Sequence, residues 1–165
     1  MPDLPEPATT STPATTAGPR GEHTGQLFGQ PIPMSRALAL IDEAIGDDQA
    51  RVRMPFNPEH TNSRGEVHGG ALLALFDCTL ACAARSHDPT GWVVITVDVT
   101  THFVSAARGD VIATARCLRR GRSIAFSQGE ARDDAGVLLA TATATLKLVP
   151  RNKPAGLRTP PAQAS

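Results

Sequence analysis

The chain has 165 residues and a mass of 17.3 kDa, one domain's worth of sequence. Sixteen Lys and Arg offset sixteen Asp and Glu, so there is no bulk electrostatic case for nucleic acid. Five Phe, one Trp and no Tyr are too few for a base-stacking platform, and three Cys, an odd and low count, argue against a disulfide framework. No charged start followed by an apolar run opens the chain, so the expectation is a cytoplasmic protein without a membrane partner.

Proline placement sets the expected boundaries. Seven of the 14 prolines fall in residues 1–33 and four in 150–165. The opening segment is rich in Pro, Thr, Ala and Gly, and such a composition does not offset its ordering entropy by burial. The expected organisation is a disordered arm over 1–30, one domain over 31–149 and a disordered tail over 150–165.

Within the domain, Arg36–Ile45 reads as either a short helix or a strand. Asp47-Asp48 reads as a turn, and Gln49–Met54 alternates like a strand. From Val67 to Ala84 the chain runs VHGGALLALFDCTLACAA, with Asp77 its only charged residue and His68 ionisable beside it. That length prompts a membrane reading. His68, Gly69-Gly70 and the central Asp77 argue against it. A helix apolar on every side is a buried helix.

The C-terminal half supplies strands. In Trp92–Phe103 the alternate set Val93, Ile95, Val97, Val99 and Phe103 is the expected core face, with Thr96, Asp98, Thr100 and His102 opposite. Val111, Ala113, Ala115 and Cys117 share one face of the next strand. Arg122–Arg132 is a further strand. In Leu138–Leu148 the set Leu138, Ala140, Ala142, Ala144, Leu146 and Leu148 is wholly apolar. So many core-facing alanines suit a helix pressed close to a sheet. The breaks at Ala107–Asp110, Arg120–Arg122 and Asp133–Gly136 carry hairpin chemistry. The fold class is α+β, an antiparallel sheet wrapped around a central buried helix.

The segment His60-Thr61-Asn62-Ser63-Arg64-Gly65-Glu66-Val67-His68-Gly69-Gly70 leads into that helix, and Asp77 follows nine residues after His68. Here the sequence resembles the hotdog-fold acyl-CoA thioesterases of the phenylacetate-pathway (PaaI) type. H-x-N, G-x-x-H-G-G and a helical Asp recur there in this arrangement. The resemblance spans about Pro31–Val149. It implies hydrolysis of an acyl-CoA, with an aryl-acyl-CoA included, to the free acid and CoA.

The implied roles suit the residue types. The first turn of a helix has free N–H groups and a positive dipole end. Gly69 and Gly70 let a thioester carbonyl approach those donors, as an oxyanion site requires. His68 would orient the carbonyl or a water, and Asn62 would position either. Asp77 is a base acting on water, or a nucleophile that forms an anhydride. Thr96 matches the family's hydroxyl position and would hold the water or Asp77. Leu73, Phe76 and Leu80 are candidates to line the acyl pocket. The turn Arg119-Arg120-Gly121-Arg122 corresponds to a basic turn near the phosphates of CoA, with a solvated turn as the equal alternative.

Nine helical positions span about 13 Å, too far for one chain to bring His68 and Asp77 to one carbonyl. The resemblance implies a homo-oligomer, a dimer or a dimer of dimers. Each site would take Asp77 and Thr96 from one subunit and Asn62, His68 and Gly69 from the other. No metal or redox cofactor is expected. Cys78 and Cys82, at i and i+4, lack the further ligands of a zinc set and read as core thiols. No G-x-S-x-G marks a serine hydrolase, and no Gly-rich phosphate loop is present. The alternatives are a hotdog dehydratase or hydratase and a catalytically silent acyl-CoA binder.

Overall fold

The computed structural model describes residues 25–151. The expected arm and tail fall mostly outside that span. Residues 25–30, assigned to the arm from composition, belong to the folded unit. There β1 (Gln26–Leu27) pairs with β2 (Gln30–Pro31), and Leu27 is fully buried in the core. One leucine with a partner surface outweighs a polar neighbourhood.

The segment left open between helix and strand holds both. A short helix α1 (Pro33–Ala37) is followed by β3 (Ile41–Gly46). Asp47 and Asp48 then turn the chain with positive φ at both residues (48° and 61°). That is the twist a two-residue hairpin needs. The turn delivers β4 (Gln49–Met54), paired antiparallel with β3. A 3-10 turn at Pro58–His60 precedes the central helix α2 (Gly69–Ala84). Four long strands follow: β5 (Trp92–Phe103), β6 (Val111–Arg120), β7 (Ile124–Arg132) and β8 (Leu138–Pro150).

The six long strands form one antiparallel sheet in the order β3-β4-β6-β7-β8-β5, with α2 packed on one face. The helix lies on small residues. Ala113 and Ala115 of β6, Ala125 and Ala131 of β7, and Ala140, Ala142 and Ala144 of β8 are all buried. From the helix, Leu72, Leu75, Phe76 and Leu80 fill the space. Each such side chain contributes about 1.5–3 kcal/mol by leaving water.

Three expectations change. First, Ala107–Asp110 is no hairpin. It lies in the connection that carries the chain from β5 across the ends of β8 and β7 to β6. Second, β5 does not keep one core face. Its pairing with β8 shifts between Thr96 and Asp98, leaving Val97 as a bulge. Trp92, Val94 and Thr96 share a face with the buried Leu146 and Leu148, whereas Val99, Thr101 and Phe103 take that face after the bulge. Val93, Ile95 and Val97 therefore point away from the helix and stay exposed. An extra residue inverts the alternation of everything beyond it. Third, α2 is not covered all round. Gly70 and Leu73 are exposed, and Ala74, Asp77 and Ala81 are half-buried, a stripe at helical spacing that one sheet cannot reach.

Candidate active site

The loop before α2 is a small structure held by its own polar groups. Thr61 and Val67 form an isolated bridge. Gly65 turns between them with φ +73°, a left-handed conformation that favours glycine. Asn62 organises the turn. Its Oδ1 accepts from Arg64 N at 2.8 Å and from Glu66 N at 3.3 Å, and its own N–H donates to Glu66 O at 2.7 Å. With the amide oxygen occupied, Nδ2 is the donor group that the Asn62 side chain has left.

Glu66, unremarked from sequence, clamps this loop. Its carboxylate is buried and accepts from Arg64 at 2.8 Å and from Arg108 at 2.8 Å. The bond from Arg64, partly opposed by burial and aided by Arg108, holds the Glu66 carboxyl below its ordinary range. Arg108 lies in the β5–β6 connection, and Val67 N donates to Ala107 O at 2.8 Å. A carboxylate flanked by Arg64 two residues away was the available signal; the partner at Arg108 was not.

His68 is the N-cap of α2. Its Nδ1 accepts from Gly70 N at 2.9 Å. This satisfies one orphan donor of the first turn. It also directs the remaining imidazole nitrogen, Nε2, outward as the donor of the neutral ring. The oxyanion expectation is thereby narrowed. The Gly70 N–H is bonded to His68, and Gly69 presents the first-turn N–H left for a ligand. A Cβ on Gly70 would meet His68 Nδ1 at 3.0 Å, and one on Gly69 would meet Phe103 Cζ at 3.1 Å.

Further along the same stripe, Thr96 Oγ1 donates to Asp77 Oδ1 at 2.6 Å. The bulge at Val97 sits beside that contact and re-aims the strand after it. Leu73 projects from the helix between Gly69 and Asp77, one turn from each. Gly69, Leu73 and Asp77 thus share one face of α2, with Thr96 on Asp77 at one point and His68 capping the helix two turns away.

The basic turn divides. Arg120 donates from Nε to Ala84 O at 2.9 Å and pairs with Asp48 at 2.6 Å. Its guanidinium caps the C-terminal end of α2. Arg119 and Arg122 are exposed, and Gly121 N closes the turn on Ile124 O at 2.8 Å.

Cys78 and Cys82 are buried in α2. Burial pushes the Cys78 thiol up to about 12 and the Cys82 thiol up to about 11. Thiols held protonated in this way are poor nucleophiles and poor metal ligands. Among the described residues no group of three or more His, Cys, Asp and Glu is placed to share a metal ion. Nor is any described helix long and apolar enough to cross a membrane. The outer face of the sheet carries a hollow of about 440 Å³ lined by Gln49, His102, Arg116 and Glu130. It lies on the side of the sheet opposite Asp77.

A six-stranded antiparallel sheet with one long helix on it, entered through a glycine-rich turn, is the hotdog fold. Comparison with known proteins agrees. The sequence pattern of the thioesterase superfamily matches residues 64–140. Acyl-coenzyme A thioesterase 13 of Homo sapiens is 31% identical over 94 residues, which cover 54% of this chain and 64% of that protein. The chain thus spans a little under two thirds of that curated relative's length. The structure of a conserved protein from Pseudomonas aeruginosa is 30% identical, covers 70% of this chain and 93% of its own, and superposes with a TM-score of 0.66. PaaI of E. coli, from the phenylacetic acid degradation operon, shares the fold with a TM-score of 0.66 at 20% identity, covering 71% of this chain and 84% of its own. Over residues 64–140 the chain is similar to the thioesterase superfamily, and its fold is that of the solved structures it resembles.

Proposed function

We propose that the protein hydrolyses acyl-CoA thioesters to the free acid and CoA, acting as a homodimer or a dimer of dimers with sites at the subunit seam. The observation that carries this is the Thr96–Asp77 hydrogen bond at 2.6 Å, on the helix face that also bears the open N–H of Gly69. The carboxylate is oriented by a hydroxyl, and the oxyanion donor lies about 13 Å away by helical rise. A second copy related by a two-fold axis brings each carboxylate to the other's helix N-terminus.

The free edge supports that pairing. β5 ends the sheet and has one strand neighbour, β8. Beyond Trp92, whose carbonyl accepts from Gln30, this twelve-residue edge has no second strand partner among the described residues, and with exposed Val93, Ile95 and Val97 it is a template for a second chain. The uncovered stripe Gly70, Leu73, Asp77 and Ala81 would be buried in the same step.

In this arrangement the thioester carbonyl oxygen accepts from Gly69 N–H, with Asn62 Nδ2 and His68 Nε2 as neighbouring donors. Asp77 takes a proton from water as the water oxygen bonds to the carbonyl carbon. The negative charge on the tetrahedral oxygen rests against the helix N-terminus. Collapse breaks the C–S bond, and the CoA thiolate receives the proton from Asp77. Direct attack by Asp77, with water then cleaving the anhydride, uses the same atoms. Water is the co-substrate, and no metal or redox group enters. Arg119 and Arg122 are the basic-turn residues left for the CoA phosphates.

The test is release of free thiol, followed with a colour reagent, from short, long and aryl acyl-CoAs. Wild-type turnover that disappears in Asp77→Asn supports the reading. A folded, dimeric wild type that releases no thiol from any of them sinks it.

A further inference from the structure

We infer that Phe103 is a specificity-determining wall of the acyl site, one that favours a flat acyl group over a puckered one of the same size. The inference rests on the proposed hydrolysis and adds a residue to it. Phe103 is the last residue of β5 and is 57% exposed. The bulge at Val97 turns it to the helix side, opposite Ala140 of β8. There the tip of its ring reaches the helix N-terminus. The position of a Cβ on Gly69 would lie 3.1 Å from Cζ and 3.5 Å from both Cε atoms.

The geometry has two consequences. Gly69 has room for this ring because it has no side chain. A carbonyl that accepts from the Gly69 N–H lies near the tip of this ring, which makes the ring one of the surfaces its acyl substituent can meet. The occupant assigned to the space beside the ring tip is the group attached to the thioester carbon. A flat acyl ring has aromatic contact with Phe103 beyond the apolar area it buries, and a saturated ring has only the area.

The experiment compares benzoyl-CoA with cyclohexanecarbonyl-CoA, which share a carbon skeleton and differ in flatness. Thiol release is measured for the full chain, for Phe103→Leu and Phe103→Met, and for Phe103→Tyr, which keeps a ring. The expected result is that the benzoyl preference in kcat/KM falls about three- to tenfold in the Leu and Met variants, chiefly through KM, and is retained by Tyr. Either truncated variant that keeps the wild-type preference overturns the inference. A wild type that hydrolyses straight-chain acyl-CoAs but neither ring substrate also overturns it, and leaves the assigned reaction standing. No thiol release from any acyl-CoA removes the reaction itself, and this inference with it.

Discussion

The two ends of α2 are built for opposite purposes. At the C-terminal end Cys82, Ala83, Ala84 and Arg85 are all buried. Arg120 donates to Ala84 O, and Arg85 donates to Leu27 O at 2.8 Å and to Pro89 O. Little there is left to bind anything. At the N-terminal end Gly69 is half-buried, Gly70 and His68 are exposed, and one capping bond ties His68 to Gly70. One donor, the Gly69 N–H, is open where side chains are smallest. A helix with both ends closed would be more stable and would present nothing to a carbonyl. One firmly closed end lets the other stay open, because the helix is anchored far from the chemistry.

Substitutions at each end sharpen this contrast. The largest effect belongs to Asp77→Asn on the open stripe, with turnover expected to fall about 10²- to 10⁴-fold and the melting temperature little changed. Turnover within a few-fold of wild type would remove Asp77 from the reaction. Asn62→Ala should cost activity less, roughly ten- to a hundredfold, because Nδ2 is one donor among several. Its loop would also loosen, so hydrogen exchange at Arg64 N–H and Glu66 N–H should quicken.

At the closed end, Arg120→Ala leaves helix carbonyls without a partner and should lower stability by about 1–3 kcal/mol in urea unfolding. The KM for acyl-CoA should stay put. A raised KM with unchanged stability would return Arg120 to the CoA phosphates. Gly70→Ala crowds His68 Nδ1 and should cost about 1 kcal/mol, the worth of an N-cap. The smallest effect concerns pH. The Glu66 carboxyl is held below its ordinary value of 4.5 by Arg64 and Arg108. A depressed carboxylate supports the fold above the unfolded value, and that support is lost as pH falls through the folded one. Exchange protection of the 62–67 loop should therefore fade below about pH 4.5, and Glu66→Gln should remove that dependence.

The elements carrying the motif were legible because each is a local property. His60–Gly70 is one continuous loop, and the helix after it needed only its apolar run. The alanine faces of β6 and β8 showed through strict alternation. Alternation alone puts Phe103 with Val93 and Ile95, because a bulge leaves no mark when both faces carry valines. Arg120 looked like Arg119 and Arg122 because three arginines around one glycine differ only in what stands opposite each. Asp48 and the carbonyl of Ala84 stand opposite Arg120, and neither is near it in sequence.

The sequence by itself determined an α+β domain with one apolar helix, the glycine entry to it and the position of Asp77, since composition, spacing and propensity act over a few residues. Only the tertiary structure decided that β5 lies at the sheet edge, that Thr96 reaches Asp77, that Phe103 faces Gly69 and that Arg120 is spent on the helix end. Each of these depends on which distant strand or loop lies alongside. Strand order, one bulged residue and the reach of a long side chain set that, and they are fixed by packing the whole chain at once.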